Sequence, residues 1–335
     1  VQTFRFADRL WRKPEGLHSK NLTKLLLMIK DEILMKLGFL TVSLNALPLE
    51  QIVPWAAEAG FEALELGCWP YDNSRDYSST QVNVDTLNEK RADEILALFE
   101  KHNMSIACLT YCDNMLHRNL AKRKVNFNHM RKVIKAAAML KVDTVCGFIG
   151  RHRSKTIEQN LALVGPQFKP LVELAAKYNI KYCVENCPMP DWQFQGLVGN
   201  VAHSPNVWDA LFAALPYDNF GLNLDPSHLF WLGIDPTRAA KDYAHKIFFA
   251  HAKDTEIIPD EQYRRGIMDS SHGHWWRYRM PGLGQIDFKG YINALREGGF
   301  DGTLSIEHED PLWEGSVDKV KHGLKLGLEH LRGLV

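Results

Sequence analysis

Apolar residues along this chain fall into two alternating patterns, short continuous runs and longer stretches with helical spacing, and the alternation repeats eight times. The runs are KLGFLTVSL, ALELGCW, SIACLTYC, DTVCGFIG, KYCVENC, GLNLDP, KIFFAHA and TLSIEHE. Each is short and nearly continuous, as a strand buried on both faces should be. Between them the spacing predicts amphipathic helices near 50–59, 86–102, 125–140, 158–178, 206–215, 236–243, 287–298 and 316–332. Eight strand–helix units in succession predict an α/β fold, a (β/α)8 TIM barrel over 35–335, rather than an open doubly wound sheet. No GxGxxG follows the first strand, which counts further against a dinucleotide-binding sheet.

Two segments stand outside the repeat. Residues 1–34 are rich in Arg, Lys and Leu, and NLTKLLLMIKDEILMK has helical spacing. This N-terminal extension is read as an oligomerisation helix, a transit-peptide-like segment, or sequence upstream of a start at Met35; Asp8, Glu15, Asp31 and Glu32 count against the transit reading. The other segment, roughly thirty residues from Asp254 to Gln285, follows the seventh strand, and loops of that length are usually lids or binding elements. Its Trp275, Trp276 and Tyr278 offer flat apolar area and its Arg277 and Arg279 fixed donors, suited to a sugar ring. An interface in a homo-oligomer would use the same residue types.

Composition narrows the class. A chain of 335 residues with 45% hydrophobic residues can bury a large core. Balanced charge, with 40 Lys and Arg against 40 Asp and Glu, argues against a nucleic-acid partner. The apolar stretches fall short of a membrane span, so the expectation is a cytoplasmic enzyme. Cys68, Cys108, Cys112, Cys146, Cys183 and Cys187 lie in or beside apolar runs without zinc-knuckle spacing, and are read as reduced, buried thiols.

Candidate chemistry sits at the strand ends. Glu185, Asp225, His251 and Glu307 each close one of the last four strand-like runs. The C-terminal ends of barrel strands face one mouth, so these four can meet around one ion despite their separation in sequence. Three carboxylates and an imidazole suit Mn²⁺ first, with Mg²⁺ or Co²⁺ as alternatives. A single buried carboxylate at a strand end is more often a structural ion pair; four in consecutive strands favour a metal site.

The motifs VEN, NLDPSH, HAKD, PGLGQIDF and SIEHED together resemble the xylose-isomerase-like TIM-barrel superfamily of sugar isomerases and epimerases, over nearly everything from Met35 to the C-terminus. The resemblance implies that Glu185, Asp225, His251 and Glu307 hold the metal and that His228 contacts substrate oxygens. The family often carries an arginine several residues after the strand-seven histidine, where this chain has Ile257.

Such a site would remove a proton from a carbon next to a carbonyl, with Glu185 and Glu307 taking and returning it and the ion stabilising the enediolate charge. His152, after the fourth strand, is a second candidate base or substrate contact, although Arg151, Arg153 and Lys155 also fit a solvated turn. Asn186 is expected to orient Glu185 or a substrate hydroxyl, and Trp69 and Tyr111 to form an aromatic wall. Lys253 reads as a supporting charge rather than a Schiff-base lysine, and His308 as structural. Two alternatives share the barrel. One is a metal-dependent dehydratase or lyase that eliminates from a 3-oxo sugar or glycoside. The other, an abasic-site-endonuclease-like phosphodiesterase, would need further metal ligands where this chain has Cys68, Trp69, Tyr111 and Asp113.

Overall fold

The computed structural model describes residues 35–73, 75, 77–190, 198–269 and 271–335, so the reading of 1–34 as a helical extension lies outside the described residues. The first half alternates β1 (Lys36–Leu40), α1 (Leu49–Ala59), β2 (Ala63–Gly67), α2 (Glu89–Lys101), β3 (Ser105–Tyr111), α3 (Leu120–Met139), β4 (Thr144–Gly147) and α4 (Ile157–Lys177). The second half continues with β5 (Lys181–Glu185), α5 (Pro205–Ala214), β6 (Phe220–Leu224), α6 (Pro226–Trp231), α7 (Pro236–Asp242) and β7 (Ile247–Ala252). It ends with β8 (Asp254–Ile257), α8 (Pro259–Arg265), β9 (Trp276–Arg279), α9 (Phe288–Glu297), β10 (Thr303–Ile306) and α10 (Val317–Arg332). Strands β1 to β7 and β10 close into a parallel barrel, with β10 between β7 and β1. The expected (β/α)8 barrel is the observed fold.

The helices start where the chain supplies an oxygen for the free backbone N–H groups of a first turn. Asn88 and Asn119 accept from the first-turn amides of α2 and α3, and Thr156 and Gln159 form a reciprocal capping box on α4. The barrel strands bury residues on both faces, β2 and β6 along their whole length, so their apolar runs are continuous rather than alternating. The expected helix boundaries agree within a few residues. Two short helices, α6 and α8, were not expected; α6 starts because Asp225 at the end of β6 accepts from the Ser227 amide and Pro226 supplies a preset first turn.

The connection from Asp254 to Gln285 is not an irregular loop. β8 and β9 pair antiparallel, Asp254 opposite Arg279 and Ile257 opposite Trp276, with α8 between them. A separate apolar cluster of Trp231, Trp275, Trp276 and Tyr278 packs this hairpin against α6. Asp254 secures its base by accepting from the amides of Gly282, Gly284 and Ile286. Among the described residues, no helix is long and apolar enough to cross a membrane.

Candidate metal centre and active site

The barrel interior becomes polar just beneath its C-terminal mouth. Glu65 on β2, Thr110 on β3, Asn223 on β6, His251 on β7 and Ser305 on β10 are all buried and joined by hydrogen bonds. Glu65 Oε2 accepts from His251 Nε2 at 3.0 Å and from Ser305 Oγ at 2.8 Å, while its other oxygen accepts from Thr110. Burial alone would raise the Glu65 pKa, but the His251 charge and these three hydrogen bonds hold it below the usual carboxylate value.

Above this layer, one ligand atom each from Glu185, Asp225, His251 and Glu307 lies within 4.8 Å of the others. His251 Nδ1 is 3.2 Å from Glu307 Oε2, 3.7 Å from Asp225 Oδ2 and 4.0 Å from Glu185 Oε1. Asp225 Oδ1 is engaged by the Ser227 amide at 2.8 Å and hydroxyl at 2.6 Å. That leaves Asp225 Oδ2 and His251 Nδ1 buried without a hydrogen-bond partner, both turned toward the same point. Unpartnered buried polar atoms are costly and rare, and a carboxylate oxygen facing an imidazole nitrogen is what a hard or borderline divalent ion would satisfy. The donor set therefore fits the expected ion.

Lys253 and His228 complete the cluster. Lys253 Nζ donates to Glu307 and Glu309, both at 2.6 Å, and stands 3.3 Å from Asp225 Oδ2. Burial would lower its pKa, but the charges of Asp225, Glu307 and Glu309 hold it well above normal. His228 Nε2 is 3.3 Å from Glu185 Oε1, and its Nδ1 is 2.8 Å from the Tyr278 hydroxyl. Burial and the neighbouring Lys253 keep this imidazole well below its ordinary pKa. The carboxylates separate: burial and the Glu307 charge push Glu185 well up, whereas Lys253 and His228 overcome burial to hold Asp225 well down. Burial also raises Glu307, against the pull of Lys253.

Other expected site residues are placed differently. Asn186 binds the Asp225 backbone, donating to its carbonyl at 2.9 Å and accepting from its amide at 2.7 Å, so it fixes Asp225 rather than Glu185. Trp69 lines the cavity that reaches Glu185 and Glu307, and its ring meets Tyr111 edge-on at 6.0 Å. Tyr111 itself is turned inward against His129 and bonds Asp113, behind the wall rather than on it. His152 is not drawn into the four-ligand group; its imidazole is held down by burial and by the charges of Arg123, Lys155 and Arg118. Trp276 is buried face to face against Trp231 at 4.3 Å, and Arg277 and Arg279 are committed to Glu256, Arg279 also to Asp310. These three hold the hairpin in place: Glu256 on β8 ties the two strands together, while Trp231 on α6 and Asp310 beyond β10 anchor them to the barrel. Tyr278 is the hairpin residue that reaches the site. His308 is buried between α10 and the barrel, as expected of a structural residue.

Sequence reasoning missed Glu65 and Glu309. A charged residue in the middle of the otherwise apolar ALELG run was the signal for Glu65. All six cysteines are buried and unbridged.

The model of the family described as xylose isomerase-like TIM barrel matches residues 53–334. Uncharacterized protein YfiH of Bacillus subtilis (strain 168) is 28% identical over 311 residues, covering 82% of this chain and 93% of that protein. Shorter matches reach an inosose isomerase of the same organism, 27% identical over 41% of this chain and 43% of its own, and an inosose dehydratase of Lacticaseibacillus casei, 31% identical over 31% and 35%. Among solved structures, the IolI protein with a bound zinc atom superposes with a TM-score of 0.66 at 18% identity, covering 90% of this chain and 96% of that one. D-psicose 3-epimerase in the presence of D-fructose gives 0.65 at 13%, covering 90% and 99%. At those identities the structures speak for the fold alone, but the family match spans seven of the eight barrel strands and every residue of the four-ligand group. The chain belongs to the xylose isomerase-like TIM barrel family.

Proposed function

We propose that this chain is a divalent-metal-dependent sugar isomerase or epimerase that removes a proton from a carbon next to a carbonyl. The carrying observation is that Glu185, Asp225, His251 and Glu307 each bring one ligand atom within 4.8 Å of the others, with Asp225 Oδ2 and His251 Nδ1 buried and without a hydrogen-bond partner. Glu185, Asp225, His251 and Glu307 would hold the ion. Mn²⁺ is the first choice, Mg²⁺ and Co²⁺ follow, and the zinc atom in the IolI structure adds Zn²⁺ to the panel. When bound, the ion supplies Lewis-acid stabilisation of the negative charge that develops on a carbonyl oxygen.

The protein groups do the proton work. Glu185 and Glu307 come from β5 and the end of β10, on separated parts of the barrel, and can approach a substrate carbon from different sides. Both carboxylates line one cavity, where either could take a carbon-bound proton from a substrate held there. Lys253, spanning Glu307 and Glu309, keeps the negative charge of the cluster balanced and places an N–H donor beside Glu307. His228 and Tyr278 form a donor chain ending at Glu185. The test is solvent deuterium incorporation into ketoses, inososes and 3-oxo-glucosides with added Mn²⁺. Exchange at one carbon supports the proposal; no exchange in any sugar with the ion bound removes it.

Elimination shares the first step and is the second reading. The hydroxyl–imidazole pair Tyr278–His228 favours it, since a departing hydroxyl needs a nearby acid, and the partial match to inosose dehydratases points the same way. Net loss of water, rather than exchange with retention, would select it. The abasic-site endonuclease reading gains nothing: Trp69 and Tyr111 pack edge-on at the positions where it needs further ligands.

A further inference from the structure

Two thiols beside Glu185 take no part in the proposed chemistry. Strands β3, β4 and β5 are neighbours in the barrel, with Thr110 opposite Cys146 and Cys146 opposite Cys183. Side chains alternate along a strand, so Cys112 and Glu185, two residues beyond Thr110 and Cys183, stand on the same side as Cys146 and one step nearer the mouth. Cys112 Sγ, Cys146 Sγ and a Glu185 carboxylate oxygen therefore lie within 4.8 Å of one another. All three residues are buried, and both cysteines are unbridged.

Three observations separate this group from ordinary core thiols. Glu185 divides its oxygens: Oε1 is 3.3 Å from His228 Nε2 and 4.0 Å from His251 Nδ1, on the four-ligand side, while Oε2 accepts from Cys112 Sγ at 3.7 Å. That last separation suits a shared ion, because bonds of ~2.3 Å to sulfur and ~2.0 Å to oxygen at a tetrahedral angle set two donors ~3.5 Å apart. Asn223 Nδ2 donates to Cys146 Sγ at 3.4 Å, a hydrogen bond that a thiolate receives more strongly than a thiol. Cys112 and Glu185 also line the cavity shared with Glu307, which gives an ion a way in.

We infer that Cys112, Cys146 and Glu185 form a second metal site, selective for a thiophilic divalent ion such as Zn²⁺ or Cd²⁺ and separate from the four-ligand group. Thiolates favour such ions, whereas Mn²⁺ and Mg²⁺ prefer oxygen-rich donors. Binding forms two metal–sulfur bonds and releases two thiol protons to solvent, so the net charge of the buried centre does not change. Occupancy would tie up the oxygen of Glu185 turned away from the four-ligand group. The site does not depend on the proposed isomerase reading.

The experiment adds Cd²⁺ to reduced protein preloaded with Mn²⁺ and follows the ultraviolet thiolate-to-cadmium charge-transfer band, with both metals counted after gel filtration. The expected band saturates at one Cd²⁺ per chain with Mn²⁺ retained, persists in Cys68→Ser, and is lost in Cys112→Ser/Cys146→Ser. No band, a band that grows only as Mn²⁺ leaves, or an equal band in the serine pair overturns the inference; the last would move the thiolate to another cysteine such as Cys187. Should the serine pair not fold, X-ray absorption at the cadmium edge of the wild type decides in its place. Two sulfur neighbours support the site, and oxygen and nitrogen neighbours alone overturn it. Protein that holds no Mn²⁺ yet shows the band keeps this site and removes the four-ligand reading.

Discussion

Glu65 and His251, 186 positions apart in sequence, meet at 3.0 Å in the barrel interior, both without solvent exposure. The contact orients the imidazole: with Nε2–H donating to Glu65, Nδ1 is turned toward Asp225 and Glu307. Carboxylates behind metal-binding histidines act this way, and losing one typically costs 10–100-fold in metal affinity. Glu65→Gln should weaken Mn²⁺ binding by about that range in a competitive chelator titration. Unchanged affinity would mean that Asn223, 3.0 Å from the same ring nitrogen, suffices to hold the imidazole.

Asp225→Asn is a sharper probe of the ligand group than an alanine. The amide keeps an oxygen for the Ser227 N-cap, so α6 should persist, whereas alanine would add a cap loss of about 1 kcal/mol. The ion should be lost or bound far more weakly, with a thermal midpoint close to that of metal-free wild type. Full stoichiometric metal in this variant would count against the site.

Lys253→Met removes the buried cation that faces Asp225, Glu307 and Glu309. Breaking a buried ion cluster by deleting one partner typically costs about 3–5 kcal/mol, because like charges remain uncompensated. Added Mn²⁺ should restore part of that loss, so the metal-induced rise in thermal midpoint should be larger in the variant than in wild type. Equal rises would show that the ammonium and the ion do not balance the same carboxylates.

Tyr278→Phe tests the hairpin's contact with the site without emptying space. It should cost about 0.5–1.5 kcal/mol in stability, the usual net worth of one hydrogen bond, yet reduce turnover more than that by releasing His228. Trp276→Ala, by contrast, removes a stacked and buried ring and should destabilise by about 3–5 kcal/mol before any kinetic effect is read.

Acid sensitivity should come from buried neutral imidazoles. Burial lowers the pKa of His129, His203 and His308 below the ordinary 6.5. A histidine depressed in the fold takes up protons more readily when unfolded, so its contribution is complete above 6.5 and falls as pH drops from there toward the folded value. His129 donates Nε2–H to the Cys68 carbonyl at 2.7 Å. His129→Gln keeps a donor but cannot be protonated, so urea-denaturation stability between pH 7.5 and 5.5 should fall less steeply than in wild type. An identical slope would exclude His129 as a source.

The eight-fold alternation and the position of Glu185, Asp225, His251 and Glu307 at strand ends were legible in the chain, because burial on both faces writes continuous apolar runs and parallel closure sends every run's C-terminus to one mouth. His228, three residues past Asp225, followed from the same logic. Which partner each side chain takes was decided only in three dimensions. Arg277 and Arg279 look like free donors until β8 brings Glu256 within reach of both, and Trp276 like a stacking platform until α6 covers it with Trp231. Asn186 adjoins Glu185 in sequence, but β5 and β6 run side by side and give it to Asp225. Glu65 could be noticed as a charge in an apolar strand, yet its link to His251 required a closed barrel, where residues far apart in the chain share one interior layer.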